Sequence, residues 1–240
     1  MAEVRPARAL LVDFGGVLTT SVFDSFRAYA EGAGPDPHLI EKLFREDKVA
    51  QDALVAHETG QQTIEEFEVV FAERLRANGA TAEATGLVAA MTENLHPDRP
   101  MIGAVKRAGE NGIPTVLVSN SLGYEAYEGY DLEELLDHVI LSGHVGVRKP
   151  SRKMYEMGAE VAGVDPADCV MIDDLAQNIS GAERLGMQGI VHETAFGTLP
   201  VLEEMFGIEF TDLLTITETV SWDSDVDEVS AQIESGGEPH

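Results

Sequence analysis

The chain has 240 residues, 44% hydrophobic and 25% charged, and its 43 acidic residues against 16 Lys and Arg give a formal net charge of −27. That length allows one α/β core plus a modest second module. So acidic a chain repels polyanions, which argues against nucleic acid or an anionic membrane as partner, and no apolar run approaches the roughly 20 residues that cross a bilayer. Residues 1–9 lack the apolar stretch of a secretory signal, and Cys169 is the only cysteine, so no intrachain disulfide can form. A cytoplasmic location is the expectation.

Residues 7–13 form a short apolar run that ends in Asp13 and predicts a buried parallel strand. Phe14-Gly15-Gly16-Val17 then makes a turn with little side-chain bulk. Between residues 21 and 95 no strand pattern occurs; the spacing predicts helices over 22–32, 36–47, 63–78 and 81–95. The third opens with Thr63 and Glu66, a capping-box pair. After Pro97 strands and helices alternate: a helix over 101–111 ending at Gly112, a strand over 115–119, and a strand over 139–142. A helix over 151–163 capped by Ser151, a strand over 169–173, a helix over 176–186 and a strand over 189–192 follow. Helix over 199–206 and a short element over 210–216 close the pattern. No Lys or Arg follows Arg184, so residues 217–240, with Trp222, read as a solvated acidic tail rather than a docking segment.

Alternation of this length implies a parallel sheet with right-handed crossovers, and ligands of such sheets bind at the carboxyl ends of the strands. Asp13, Ser119-Asn120, Lys149-Pro150 and Asp173-Asp174 all fall at those ends or just beyond. Singly each has a plain explanation as a helix cap, a turn or surface polarity; their joint placement points to a site.

Val12-Asp13-Phe14-Gly15-Gly16-Val17-Leu18, Leu117-Val118-Ser119-Asn120, Lys149-Pro150, and Ile172-Asp173-Asp174 with Asn178 and Gly181-Ala182 resemble the four motifs of the haloacid dehalogenase superfamily. The form of the first motif is similar to the subgroup related to the N-terminal phosphatase domain of bifunctional epoxide hydrolases. The resemblance implies an α/β fold: a Rossmannoid parallel sheet flanked by helices (residues 1–19 and 96–216) with a small inserted α-helical cap (20–95), to which His57-Glu58-Thr59-Gly60 is similar. It also implies a Mg²⁺-dependent phosphatase acting on a small phosphorylated metabolite. Asp13 is then the nucleophile and Lys149 the supporting cation. Asp13, the Gly15 carbonyl, Asp174 and Asp173 (directly or through water) hold the metal, and Gly16, Ser119 and Asn120 meet the phosphoryl group.

One position departs from the family. A second Asp usually follows the nucleophile by two residues as general acid/base, and here Gly15 stands in its place. A positioned acid/base is worth about 10²–10⁴-fold in rate. A substrate with a good leaving group, or an acid from the inserted helices (Asp24, His57 and Glu58 are the candidates), would make up for its loss. The alternatives are a non-catalytic or regulatory binding protein on the same fold and a metal-independent 2-haloacid dehalogenase, although the latter gives Asp173-Asp174 no use. Cys169 reads as core, the scattered histidines show no ligand spacing, and Tyr124, Tyr127 and Tyr130 read equally as pocket or packing.

Overall fold

A strand buried on both faces needs apolar side chains at every position, and the run β1 (Ala9–Val12) has them, all four buried. A computed structural model describes residues 5–122, 127 and 129–215. β1 pairs in parallel with β2 (Thr115–Ser119) on one side and β4 (Cys169–Asp173) on the other. β3 (His138–Leu141) and β5 (Gln188–Val191) are the edges of a five-stranded sheet ordered β3-β2-β1-β4-β5. The chain winds outward from β1 to β3, then crosses to β4. The strand order therefore reverses between β1 and β4, where ligands of open parallel sheets bind.

Alternation along each strand divides the core into two layers. Leu10, Val12, Leu117, Val170 and Ile172 pack toward α6 (Arg99–Glu110) and α11 (Ala195–Phe206). Ala9, Leu11, Val116, Val118 and Met171 pack toward α9 (Arg152–Ala162) and α10 (Ala176–Glu183). The short helices α7 (Leu132–Leu135) and α8 (Ser142–Val145) flank β3.

Between β1 and α6 lie α1 (Val22–Ala33), α2 (Leu39–Glu46), α3 (Lys48–Glu58), α4 (Ile64–Ala77) and α5 (Leu87–Thr92). They enclose a hydrophobic cluster of their own, including Phe26, Leu43, Phe67, Phe71 and Met91. The two connections to the sheet run side by side, Thr20 N–H donating to the His96 carbonyl at 2.7 Å and Asp98 N–H to the Leu18 carbonyl at 2.9 Å.

Several elements differ from their sequence patterns. α3 is not foreseen; Asp47 ends α2 and also caps α3, its carboxylate accepting from Val49 and Ala50 N–H, so one residue separates two helices. α5 is much shorter than 81–95, because Gly86 at φ +73° interrupts the run and leaves only six helical residues. Ser151 stands at the N-cap of α9 but its side chain makes no capping bond. The last element among the described residues is a 3₁₀ helix, Thr211–Thr215. The Thr63–Glu66 capping box is present in full. The expectations for Tyr124, Trp222 and the acidic tail lie outside the described residues.

Candidate active site

Asp13 follows the last residue of β1, and its N–H donates to the Ile172 carbonyl at 2.9 Å, which ties the ends of β1 and β4 together. Phe14 N–H donates to Asp13 Oδ1 at 2.7 Å. Gly16 adopts φ +72°, and a Cβ there would lie 2.6 Å from Asp174 Oδ2, so backbone conformation and space both require glycine. Its N–H donates to Thr19 Oγ1 at 3.1 Å, which holds the turn.

The Lys149 ammonium is 0% exposed and lies 2.8 Å from Asp13 Oδ1 and 2.6 Å from Asp173 Oδ2. Asp173 is held from the other side as well. Asn178 Nδ2 donates to both of its oxygens at 2.9 and 3.1 Å, and Leu175 N–H to Oδ1 at 2.9 Å. Asn120 clamps the backbone of Lys149, accepting from its N–H at 2.8 Å and donating to its carbonyl at 3.2 Å. The amide expected to meet a phosphoryl group is thus engaged in positioning the lysine. Ser119 Oγ lies 2.9 Å from the Tyr127 hydroxyl.

Asp13, Asp173 and Asp174 each offer an oxygen within 4.8 Å of the others. Burial pushes the Asp13 carboxyl up, to about 7, against the pull of Lys149, and the charges of Asp173 and Asp174 add to the rise. Asp174 is pushed up to about 6 by burial and then by Asp173. Burial alone would lower Lys149, but the two carboxylates beside it outweigh that and hold the ammonium charged. One ammonium faces three carboxylates, so the cluster is short of positive charge.

A cavity of about 550 Å³ opens over these groups, between the carboxyl end of the sheet and the inserted helices. Asp13, Gly15, Ser119, Asn120 and Asp174 border it. Glu58 does so too, 2.6 Å from Arg148 Nη1, and burial pushes its carboxyl up to about 7 against the pull of Arg148 and Lys149. The other two candidate acids are elsewhere: Asp24 is exposed and paired to Arg27, and His57 is buried with its ring stacked on Phe67 at 5.1 Å. Cys169 is buried in β4 and its thiol is pushed up to about 12 by burial, as a core residue should be.

Four supporting residues had no role in the sequence reading. Arg148 meets Glu58; Tyr155 donates to the Asn178 carbonyl at 2.7 Å; Ser142 Oγ accepts from Ser121 N–H at 2.9 Å; Thr19 braces Gly16. Arg148 carried a signal, adjacency to Lys149. Tyr155 and Ser142 are buried partners whose meetings depend on packing between distant elements, whereas Thr19 braces Gly16 within one turn.

A family model described as haloacid dehalogenase-like hydrolase matches residues 7–186. Among curated relatives, a phosphatase of Mycobacterium tuberculosis is 34% identical over 97 residues, 39% of this chain and 44% of that protein. Bifunctional epoxide hydrolase 2 of Sus scrofa is 25% identical over 224 residues, 84% of this chain and 39% of that protein. The chain spans less than half the length of these two relatives. Its fold is similar to a predicted HAD-like family hydrolase from Porphyromonas gingivalis (TM-score 0.60, 22% identity, 88% of this chain and 99% of that one). It is also similar to a HAD family enzyme from Bacteroides thetaiotaomicron in complex with magnesium and inorganic phosphate (TM-score 0.57, 21% identity, 78% and 94%).

Proposed function

The chain belongs to the haloacid dehalogenase-like hydrolases, and on that premise we propose that it is a Mg²⁺-dependent phosphatase that passes the phosphoryl group of a small-molecule ester through Asp13. The observation that carries this reading is the three-carboxylate cluster around a single buried ammonium. A hard divalent cation suits such a donor set, since Mg²⁺ takes oxygen ligands and keeps several waters. Asp13, Asp174 and the Gly15 carbonyl would hold it. Asp173 already accepts from Lys149, Asn178 and Leu175, which leaves it a part at most through water. When bound, the ion supplies the positive charge that lets a carboxylate approach a dianionic phosphate.

The chain's own groups then do the positioning. Lys149, fixed by Asp173 and by the Asn120 clamp, neutralises Asp13 and steadies the equatorial oxygens of the group in transfer. Asp13 attacks phosphorus as the P–O bond to the leaving oxygen breaks and its electron pair goes with that oxygen. Water then attacks the aspartyl-phosphate, freeing phosphate and the Asp13 carboxylate. Ser119 and the N–H groups around Gly16 are the proposed donors to the phosphoryl oxygens, and the inserted helices are proposed to act as a cap that selects the leaving group. A metal-independent dehalogenase would leave Asp174 as uncompensated negative charge beside Asp13 and Asp173. The test is phosphate release from p-nitrophenyl phosphate. It is expected to need Mg²⁺, to stop with chelator and to vanish in Asp13→Asn; release that survives the substitution would sink the proposal.

A further inference from the structure

The space above Gly15 is already taken. A Cβ added at this residue would lie 2.6 Å from Val22 Cγ2, the methyl with which α1 begins. No acid can stand there without displacing that side chain. Among the described residues of the cavity wall, Asp174 belongs to the proposed metal site, and Glu41, Glu58 and Tyr127 have partners. Glu41 accepts from Arg27 Nε at 2.7 Å, Glu58 is paired to Arg148 at 2.6 Å, and the Tyr127 hydroxyl lies 2.9 Å from Ser119 Oγ. Among the described side chains of the wall, no acid outside the proposed metal site is free of a partner to meet a leaving oxygen.

The apolar part of the cavity wall is built from Val22, Phe23, Phe26, Phe44, Leu54 and Leu122. Its cations are matched: Arg27 by Asp24 and Glu41, Arg45 by Glu46 at 2.8 Å, and Arg148 by Glu58. The Thr92 hydroxyl turns to its own helix, donating to the Val88 carbonyl at 2.9 Å. Among its described residues the cavity therefore offers no unpaired cation to a second anionic group and few polar partners to a row of sugar hydroxyls. Buried polar groups bind only where they are matched, whereas an apolar wall favours an apolar occupant.

We infer that the substrate is an aryl phosphate whose leaving group is an uncharged, apolar phenol, and that Val22 sets this specificity by occupying the place of a proton donor. This rests on the phosphatase reading above. A phenol departs as phenoxide: the bond from Asp13 oxygen to phosphorus forms, the aryl P–O bond breaks, and its electron pair stays on the phenolic oxygen. Water then attacks phosphorus and the bond to Asp13 breaks. That water's proton returns through solvent to the phenoxide, so the sum is ester plus water giving phenol plus phosphate. An alkoxide leaving group has no such ease, and it loses the roughly 10²–10⁴-fold that a positioned acid supplies.

The experiment measures kcat/KM with Mg²⁺ for substituted phenyl phosphates, for alkyl phosphates and for a hexose 6-phosphate, with Asp13→Asn as control. Expected is a steep fall with rising leaving-group pKa and aryl over alkyl preference of about 10²-fold or more. Para-propylphenyl phosphate should also exceed para-carboxyphenyl phosphate, although the latter carries the better leaving group. In Gly15→Asp/Val22→Ala, which opens the occupied volume and restores an acid, the alkyl-to-aryl ratio should rise about tenfold or more. If alkyl or sugar esters match aryl esters while Asp13→Asn abolishes all turnover, the inference falls and the phosphatase reading stands. If no ester releases phosphate, both fall.

Discussion

Removal of the Lys149 ammonium tests the electrostatic core of the site directly. Its distances of 2.8 and 2.6 Å to Asp13 and Asp173 correspond to about 6 kcal/mol of gross attraction per pair at an effective dielectric of about 20. Burial of all three groups offsets much of that, so the net effect is set by what the substitution leaves behind: two buried carboxylates with no cation. Breaking a buried pair in this way costs about 3–5 kcal/mol, a large share of the roughly 5–15 kcal/mol that stabilises a domain. Lys149→Met keeps the apolar stem, so the loss isolates the charge. Urea unfolding of wild type and variant, followed by circular dichroism at pH 7.5 with chelator to keep out divalent ions, measures it. The double variant Asp13→Asn/Lys149→Met should be more stable than Lys149→Met, because it removes one of the stranded charges. A loss below about 1 kcal/mol in Lys149→Met, or a double variant no more stable than the single, would refute this account of the cluster.

Glu58 gives a pH prediction. Burial raises its folded-state pKa from an ordinary 4.5 to about 7, so the folded chain binds a proton there more tightly than the unfolded chain. Stability relative to Glu58→Gln is therefore greatest below pH 4.5, falls as pH rises toward 7, and is lower by on the order of 2–3 kcal/mol above that. Urea titrations of both proteins at pH 5 and 8 check it; a constant difference would contradict it. Glu68, buried in α4, accepts from Gly86 and Val88 N–H at 3.1 and 2.9 Å and so caps α5 from another helix. Glu68→Ala should cost about 1–3 kcal/mol, visible as a lower melting temperature. Asn120→Ala frees the backbone of Lys149 and should lower kcat about 10²-fold through misplacement of the ammonium, with KM changing far less; steady-state kinetics on p-nitrophenyl phosphate decide.

Local patterns carried a good deal of this protein. β1, β2 and β4 are legible because strands buried on both faces are largely apolar, and Asp13, Ser119 and Asp173 stand out as the polar groups where those runs stop. The Thr63–Glu66 box marks the start of α4 because both its bonds are made within one turn. The break at Asp47, where one residue serves two helices, is hidden in a continuous helical composition, and α3 with it.

Meetings between distant segments were decided by the tertiary structure. The pairing of Asn120 with the Lys149 backbone spans 29 residues, and that of Glu58 with Arg148 joins an inserted helix to a loop of the sheet. No periodicity records such contacts, since they depend on how layers stack. Gly15 shows the division most plainly: its identity announces that a side chain is missing, but only packing reveals that Val22 fills the space. Sequence determines which groups are available at the strand ends, through local patterns of burial and turning; the assembled layers determine which of them touch, because charge and volume act across space rather than along the chain.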